Sequence, residues 1–238
     1  MGAARAHVFV ADPAAPELSP ADRHHLERVL RLRAGDEISV ADGAGQWRRC
    51  RLAPGGVLEA LDDVVVAARP RPEVAVAFAL TKGERPDWAV QKLTEVGVDA
   101  IVPFTAERSV VRWSGERAAA QAERWRRIAR EAASQSRRVW LPHVEDVQPF
   151  EQVVARPGAV LAEADGDPPT LAHPLVLVGP EGGWSPEELA AGAHLPRVRL
   201  GDATLRAETA AVVAGTLLGA LRAGLVRPVL DDVTNVQG

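Results

Sequence analysis

The spacing of apolar and polar residues changes character near residue 70. Before it, short runs alternate: VFV at 8–10, then the stretch from Glu37 to Ala67, broken by turn signals at Asp42-Gly43, Gly45 and Gly55-Gly56. Alternation of this kind predicts strands with one buried face. A single stretch departs from it. Ser19 and Pro20 precede ADRHHLERVLRL, where Leu26, Val29 and Leu30 recur at helical spacing. Ser19 suits a helix cap and Pro20 the first helical position. Five or six short strands and one helix predict a small β-barrel over residues 1–72. The segment ARPRPE at 68–73 reads as a linker, because each proline holds the residue before it extended.

After the linker the rhythm becomes strand, helix, strand. VAVAFAL (74–80) is a continuous apolar run, as expected of a strand covered on both faces. Pro86 opens a helix that Gly97 closes. A strand follows at DAIVPF, then a long helix from Ser114 to about Arg137 with Trp125, Ile128, Ala129 and Ala132 on one face. Further strands are predicted at 159–164, 174–179 and 197–201, and an apolar helix from about Leu205 to Ala223. Strands alternating with helices predict an α/β domain with a mostly parallel sheet over residues 73–238.

Composition narrows the function classes. With 47% hydrophobic and 25% charged residues the chain is an ordinary globular one, not a disordered or fibrous one. No apolar run approaches the roughly 18 residues of a transmembrane helix, and the first twenty residues lack the apolar core of a secretory signal. A single cysteine, Cys50, excludes a disulfide framework and a cysteine-based zinc site. A cytoplasmic location is the expectation. The net charge of −4 conceals a local excess: residues 104–140 hold nine arginines and four glutamates, so a polyanion could be met there.

Two glycine-bearing turns follow buried strands and are the candidate ligand loops. In LVLVGPEGGWSPEEL, Gly179 ends a strand, Gly182-Gly183 permit conformations closed to other residues, and Ser185, Pro186 and Glu188 predict a capped helix start. The second is VRLGDATLRAETAAVVAGTLL, which puts Arg206 at the start of an apolar helix, where a cation is disfavoured by about 0.3–1 kcal/mol. The first turn alone could be a plain strand-to-helix connection, and Arg206 alone could be paired with Glu208 or Asp202. Strand ends of this kind are where open α/β sheets bind ligands. No phosphate loop, dinucleotide fingerprint or serine-hydrolase elbow occurs. The histidines lack metal-ligand spacing, so no metal is expected. In ERAAAQAERWRRIAREAASQSRR, burial of Trp125 leaves Arg126, Arg127, Arg130 and Arg137 on other faces, which are either solvated or matched to phosphate oxygens.

Taken together, these segments resemble the 16S ribosomal RNA (uracil-N3) methyltransferases of the RsmE type, within the knotted SPOUT superfamily. HHLERVLRLRAGDEISVADGAG is similar to that family's PUA-like N-terminal domain, and ALTKGERPDWAVQKLTEVGVDAIVPFTAERSV to its first α/β segment. ASQSRRVWLP resembles its glutamine-serine-x-arginine signature, with Ser134 where glutamate is common and Arg137 where glycine is common. LVGPEGGWSPEEL and LGDATLRAETA resemble its two cofactor loops. The order and spacing of these pieces run through nearly the whole chain.

The resemblance implies a C-terminal trefoil knot, a homodimer, and S-adenosylmethionine as methyl donor. It implies donor contacts at Gly179, Pro180, Glu181, Gly182, Gly183, Leu200, Gly201, Leu205 and Arg206, with no metal. Arg206, and after it Arg138, would stabilise charge on the uracil oxygens as N3 loses its proton. The RNA, 16S ribosomal RNA in the small subunit, would meet Lys82, Arg112, Arg126, Arg127 and Arg130 and lie across both domains. Two other functions stay open at this stage: a knotted methyltransferase acting on transfer RNA or another RNA position, and a noncatalytic ribosome-assembly RNA-binding protein.

Overall fold

The computed structural model describes residues 4–227; the expected domain ends at 1–3 and 228–238 lie outside the described residues. The chain divides into two compact units. One comprises the residues up to Pro70 together with Arg127–Pro142, and the other comprises Arg71–Arg126 and the residues from His143 onward.

The first unit carries a five-stranded sheet, as the alternation predicts. Strands β1 (Ala6–Phe9) and β2 (Glu37–Ala41) pair in parallel; β2 runs antiparallel to β3 (Gln46–Leu52), which pairs with both β4 (Leu58–Ala60) and β5 (Val65–Val66). The β2–β3 connection is an Asx turn, since the Asp42 carboxylate accepts from the amides of Ala44 (2.7 Å) and Gln46 (3.0 Å). Val8, Leu26, Ile38, Val40, Cys50 and Leu52 form its core. Burial pushes the Cys50 thiol up to about 11, so it stays protonated and unreactive.

Helix α1 (Pro20–His24) begins as predicted, with the Ser19 hydroxyl accepting from the Asp22 amide (3.0 Å). Of the three apolar residues at helical spacing, only Leu26 is buried; Val29 and Leu30 are exposed. The chain widens there into a π turn over His25–Val29, and a spacing of three or four residues no longer returns to the same face.

The second unit is built on a seven-stranded sheet, and each of its pairings is parallel. In chain order its strands are β6 (Ala75–Ala79), β7 (Ala100–Thr105), β8 (His143–Val144), β9 (Gln148–Pro149), β10 (Ala159–Asp167), β11 (Leu175–Val178) and β12 (Arg197–Val198). Across the sheet the order is β12-β10-β11-β6-β7-β8, with β9 beside β7. The predicted helices appear as α2 (Arg85–Glu95), α3 (Gly115–Gln135), α5 (Pro186–Ala191) and α6 (Ala207–Arg222), together with a short α4 (Phe150–Val154).

One sheet face is covered by Phe150, Val153 and Trp184 packing on Ala77, Phe104 and Leu177. Helix α6 packs against α2, β6 and β11 on the central strands. Gly215 lets it approach closely: a Cβ there would come within 2.8 Å of Leu93 and 2.7 Å of Val98. Trp125 of α3 is fully buried against Phe78, and its indole N–H donates to Asp87 (2.9 Å). No described helix is long and apolar enough to cross a membrane.

Candidate functional site

The parallel sheet brings the ends of β10, β11 and β12 together, and a cavity of about 420 Å³ opens there, within the range of small-molecule sites. The first glycine turn supplies one wall, through Gly179, Pro180, Glu181 and Gly183. The second supplies another, through Leu200, Gly201 and Leu205. Gly182 is absent from the lining; its carbonyl accepts from the Arg108 guanidinium (3.0 Å), which holds the turn from the outside. Arg206 is exposed between the lining residues Leu205 and Ala207, in extended conformation at the N-cap of α6, and no ion-pair partner for it exists among the described residues.

Local chemistry shapes these loops. Gly183 sits at φ +69°, in the left-handed region. Beyond it, Ser185 and Glu188 form the capping box that the sequence predicts: the Ser185 hydroxyl accepts from the Glu188 amide (3.1 Å), and the Glu188 carboxylate from the Ser185 amide (2.9 Å). The other Glu188 oxygen accepts from the amide of Glu107 (2.8 Å), fastening the loop after β7 to the start of α5. Trp184 stacks on Phe104 with ring centroids 6.0 Å apart and planes 8° from parallel, forming a rigid side of the cavity.

The charge of the lining is informative. The lining includes Glu163, Glu181, Asp202 and Arg199; Asp202 pairs with Arg199 (3.1 Å), and Glu181 pairs with Arg85 from outside the lining. Burial raises the Glu163 carboxyl above the usual carboxylate range; Arg197 opposes this and Asp165 adds to it. A phosphate-bearing ligand would find little unpaired positive charge on such a wall. Among the described residues no group of three or more histidine, cysteine or acidic side chains could hold a metal ion.

The remaining candidates are dispersed. Lys82 and Arg127 are exposed and lack ion-pair partners among the described residues. Arg112 is exposed and donates to the Glu107 carbonyl (2.9 Å). Arg126 donates to the Val144 carbonyl (3.0 Å) and to Asp146 (2.8 Å), and Arg130 to the Phe9 carbonyl (2.9 Å) while lying over the Phe9 ring. Arg138 belongs to the first unit, where its carbonyl meets His7.

Sequence reasoning did not single out Glu163, Trp184, Arg85 or Arg108. A polar residue inside the apolar run AVLAEA is a signal that could have flagged Glu163; the two arginines act through distant partners and leave no local signature.

Comparison with known proteins bears on this geometry. Residues 68–219 match the model of the RNA methyltransferase domain, and residues 18–56 that of the RNA methyltransferase PUA domain. Ribosomal RNA small subunit methyltransferase E of Mycobacterium bovis is 37% identical over 217 residues, covering 83% of each chain. Its Synechocystis counterpart is 35% identical, covering 86% of this chain and 72% of its own. Among solved structures, Neisseria gonorrhoeae ribosomal RNA small subunit methyltransferase E bound to S-adenosyl methionine superposes with a TM-score of 0.75 at 26% identity, over 92% of this chain and 97% of that one. A Legionella pneumophila protein in complex with SAM gives a TM-score of 0.78 at 26% identity, over 90% of this chain and 96% of that one.

Proposed function

Because this chain belongs to the RNA methyltransferase family of the ribosomal RNA small subunit methyltransferase E type, we propose that it methylates N3 of one uridine in 16S ribosomal RNA of the small subunit, using S-adenosylmethionine. The observation that carries the reading is the cavity itself. Two glycine turns, separated in sequence by α5 and β12, meet at the ends of β11 and β12, which flank β10, around a lining that is apolar and acidic.

S-adenosylmethionine, when bound, supplies a methyl group already activated on a sulfonium. The protein's own task is then alignment and charge control. Gly179, Gly183 and Gly201 leave backbone groups open to the adenosine and methionine parts. The carboxylates of Glu163, Glu181 and Asp202 oppose the donor's positive charge. In this reading the Arg206 guanidinium, exposed in the chain next to lining residues, stabilises negative charge on the uracil carbonyls as the N3 proton passes to solvent water; a preorganised donor of this kind acts as an oxyanion hole does. Fixing the nitrogen, carbon and sulfur in line is the rest of the catalysis.

Residues 1–72 are read as a PUA-like RNA-binding barrel, which the family match at 18–56 supports, and residues 73–238 as the catalytic domain. The return of α6 onto β6 and β11, after the chain has left by the β12 edge, supports a knotted path through the donor loops. Lys82, Arg112 and Arg127 are exposed and suited to phosphate oxygens, whereas Arg126 and Arg130 would have to share their guanidinium groups with the contacts above. A homodimer acting in the cytoplasm, where small subunits are found, completes the reading.

Small subunits that lack the modification, incubated with the protein and methyl-labelled S-adenosylmethionine, test the proposal. Label is expected on N3 of a single uridine; label at another position or on another RNA, or none with the donor bound, would overturn it.

A further inference from the structure

The guanidinium of Arg85, at the start of α2, bridges two carboxylates, one that lines the cavity and one whose chain neighbour Ala207 lines it. One is Glu181, in the turn after β11; the other is Glu208, in the first turn of α6, with a nitrogen-to-oxygen distance of 3.7 Å. These two elements are separated in sequence by α5, β12 and the second glycine turn.

The two legs of the bridge differ. Glu181 is 38% exposed, so its pairing with Arg85 alone contributes little. Glu208 is only 14% exposed, and its Oε2 is buried without a hydrogen-bond partner among the described residues. A carboxylate so far removed from water depends on the cation beside it. Arg85 itself occupies a helix start, where the backbone dipole disfavours a cation. The pair of acidic partners offsets that cost.

We propose that Arg85 is a positioning residue: by holding Glu181 and Glu208 together it fixes the separation of the two donor loops, so that the cavity keeps the shape that S-adenosylmethionine requires. The proposal rests on the donor-site reading above. Arg85 does not itself line the cavity; it acts through the carboxylates. Glu181 lines the cavity, and Glu208 lies next to the lining residue Ala207.

Isothermal calorimetry with S-adenosylmethionine on the full chain, on Arg85→Met, on Glu208→Gln and on the double variant tests this. Arg85→Met is expected to weaken donor binding about tenfold, in the range of groups that share one network. Adding Glu208→Gln should recover part of that loss, because the stranded charge is gone. A merely structural arginine would give independent losses that multiply. Hydrogen exchange of the donor-free protein gives a second readout: Arg85→Met should speed exchange in the 179–183 turn and at the start of α6 together. Unchanged affinity in Arg85→Met, multiplicative losses, or exchange altered in neither segment or in one alone would overturn the inference. Failure of the unaltered chain to bind S-adenosylmethionine would instead overturn the donor-site reading, and exchange would still decide the role of Arg85.

Discussion

The His7 imidazole donates through Nε2 to the carbonyl of Arg138, 131 positions away, at 2.9 Å. A carbonyl can only accept, so Nε2 carries the proton and Nδ1 is left to face the Ser39 hydroxyl at 2.8 Å. Burial, opposed by the bond to Arg138 and aided by the charge of Arg137, lowers the His7 pKa from 6.5 to about 4. The folded protein therefore holds His7 neutral, while the unfolded chain takes up a proton below pH 6.5. Stability from this residue is whole above 6.5 and is lost as pH falls toward 4, by about 3 kcal/mol at about 1.4 per unit. Urea unfolding across that window should show the decline, and His7→Gln should flatten it; an equal slope in the variant would remove His7 as its cause.

Arg137 lies at φ +57°, where a side chain is strained and glycine is not. It closes α3 as a Schellman turn: the Arg138 amide donates to the Ala133 carbonyl (2.9 Å) and the Arg137 amide to that of Ser134 (3.3 Å). The family's frequent glycine at this place thus has a conformational reason. Arg137→Gly should raise stability by about 0.5–1 kcal/mol in thermal unfolding; a lower melting temperature would show that the arginine's own contacts outweigh the strain.

What could be read in advance was whatever leaves a local trace. The β6, β7, β10 and β11 strands announce themselves as apolar runs, Ser19 and Ser185 as caps, and the two turns that line the cavity as glycines behind strands. Short β8, β9 and α4 are too brief to show a period. Outward-facing Val29 and Leu30 follow from a π turn that helical spacing does not anticipate. The association of Arg127–Pro142 with the first unit depends on pairs such as His7 with Arg138 and Ala44 with Trp140, which no window of the sequence contains. The same holds for Arg85, whose partners lie about a hundred positions downstream.

At Gly179 a Cβ would stand 3.0 Å from the Trp184 ring, which stacks on Phe104 and also meets Phe150 at 5.5 Å. Its stacking on Phe104 and its contact with Phe150 resist a shift of the ring. Gly179→Ala should cost about 1–3 kcal/mol through overpacking, and the displaced indole should weaken donor affinity at least in proportion. Chemical denaturation beside calorimetry checks both; a stable variant with native affinity would show that Trp184 can yield.

Glu163 lines the cavity with its carboxyl raised by burial, so ionisation there is unfavourable in the donor-free protein. The sign follows: its contribution to stability is present below the unfolded pKa and is lost as pH rises through the raised folded one. Glu163→Gln should therefore be slightly more stable than the unaltered chain at neutral pH. The same change removes an opposing charge for a cationic donor, so affinity should fall severalfold and lose part of its weakening at acid pH. Melting curves and calorimetry at several pH values separate the two effects; a donor affinity indifferent to Glu163 would place the positive centre elsewhere.

Arg206 tests the catalytic reading most directly. It is exposed, no ion-pair partner for it exists among the described residues, and its side chain does not cap α6. Removing it breaks no observed contact and relieves a cation from a helix start, so Arg206→Ala should fold with stability within about 0.5 kcal/mol of the unaltered chain. Donor binding, carried by the loop backbone and the carboxylates, should persist. Turnover should fall about a hundredfold or more, the loss expected when a donor to a developing oxyanion is deleted. The split between calorimetric affinity and single-turnover methyl transfer is the measurement. A variant that transfers methyl at the native rate would assign the charge on uracil to another group.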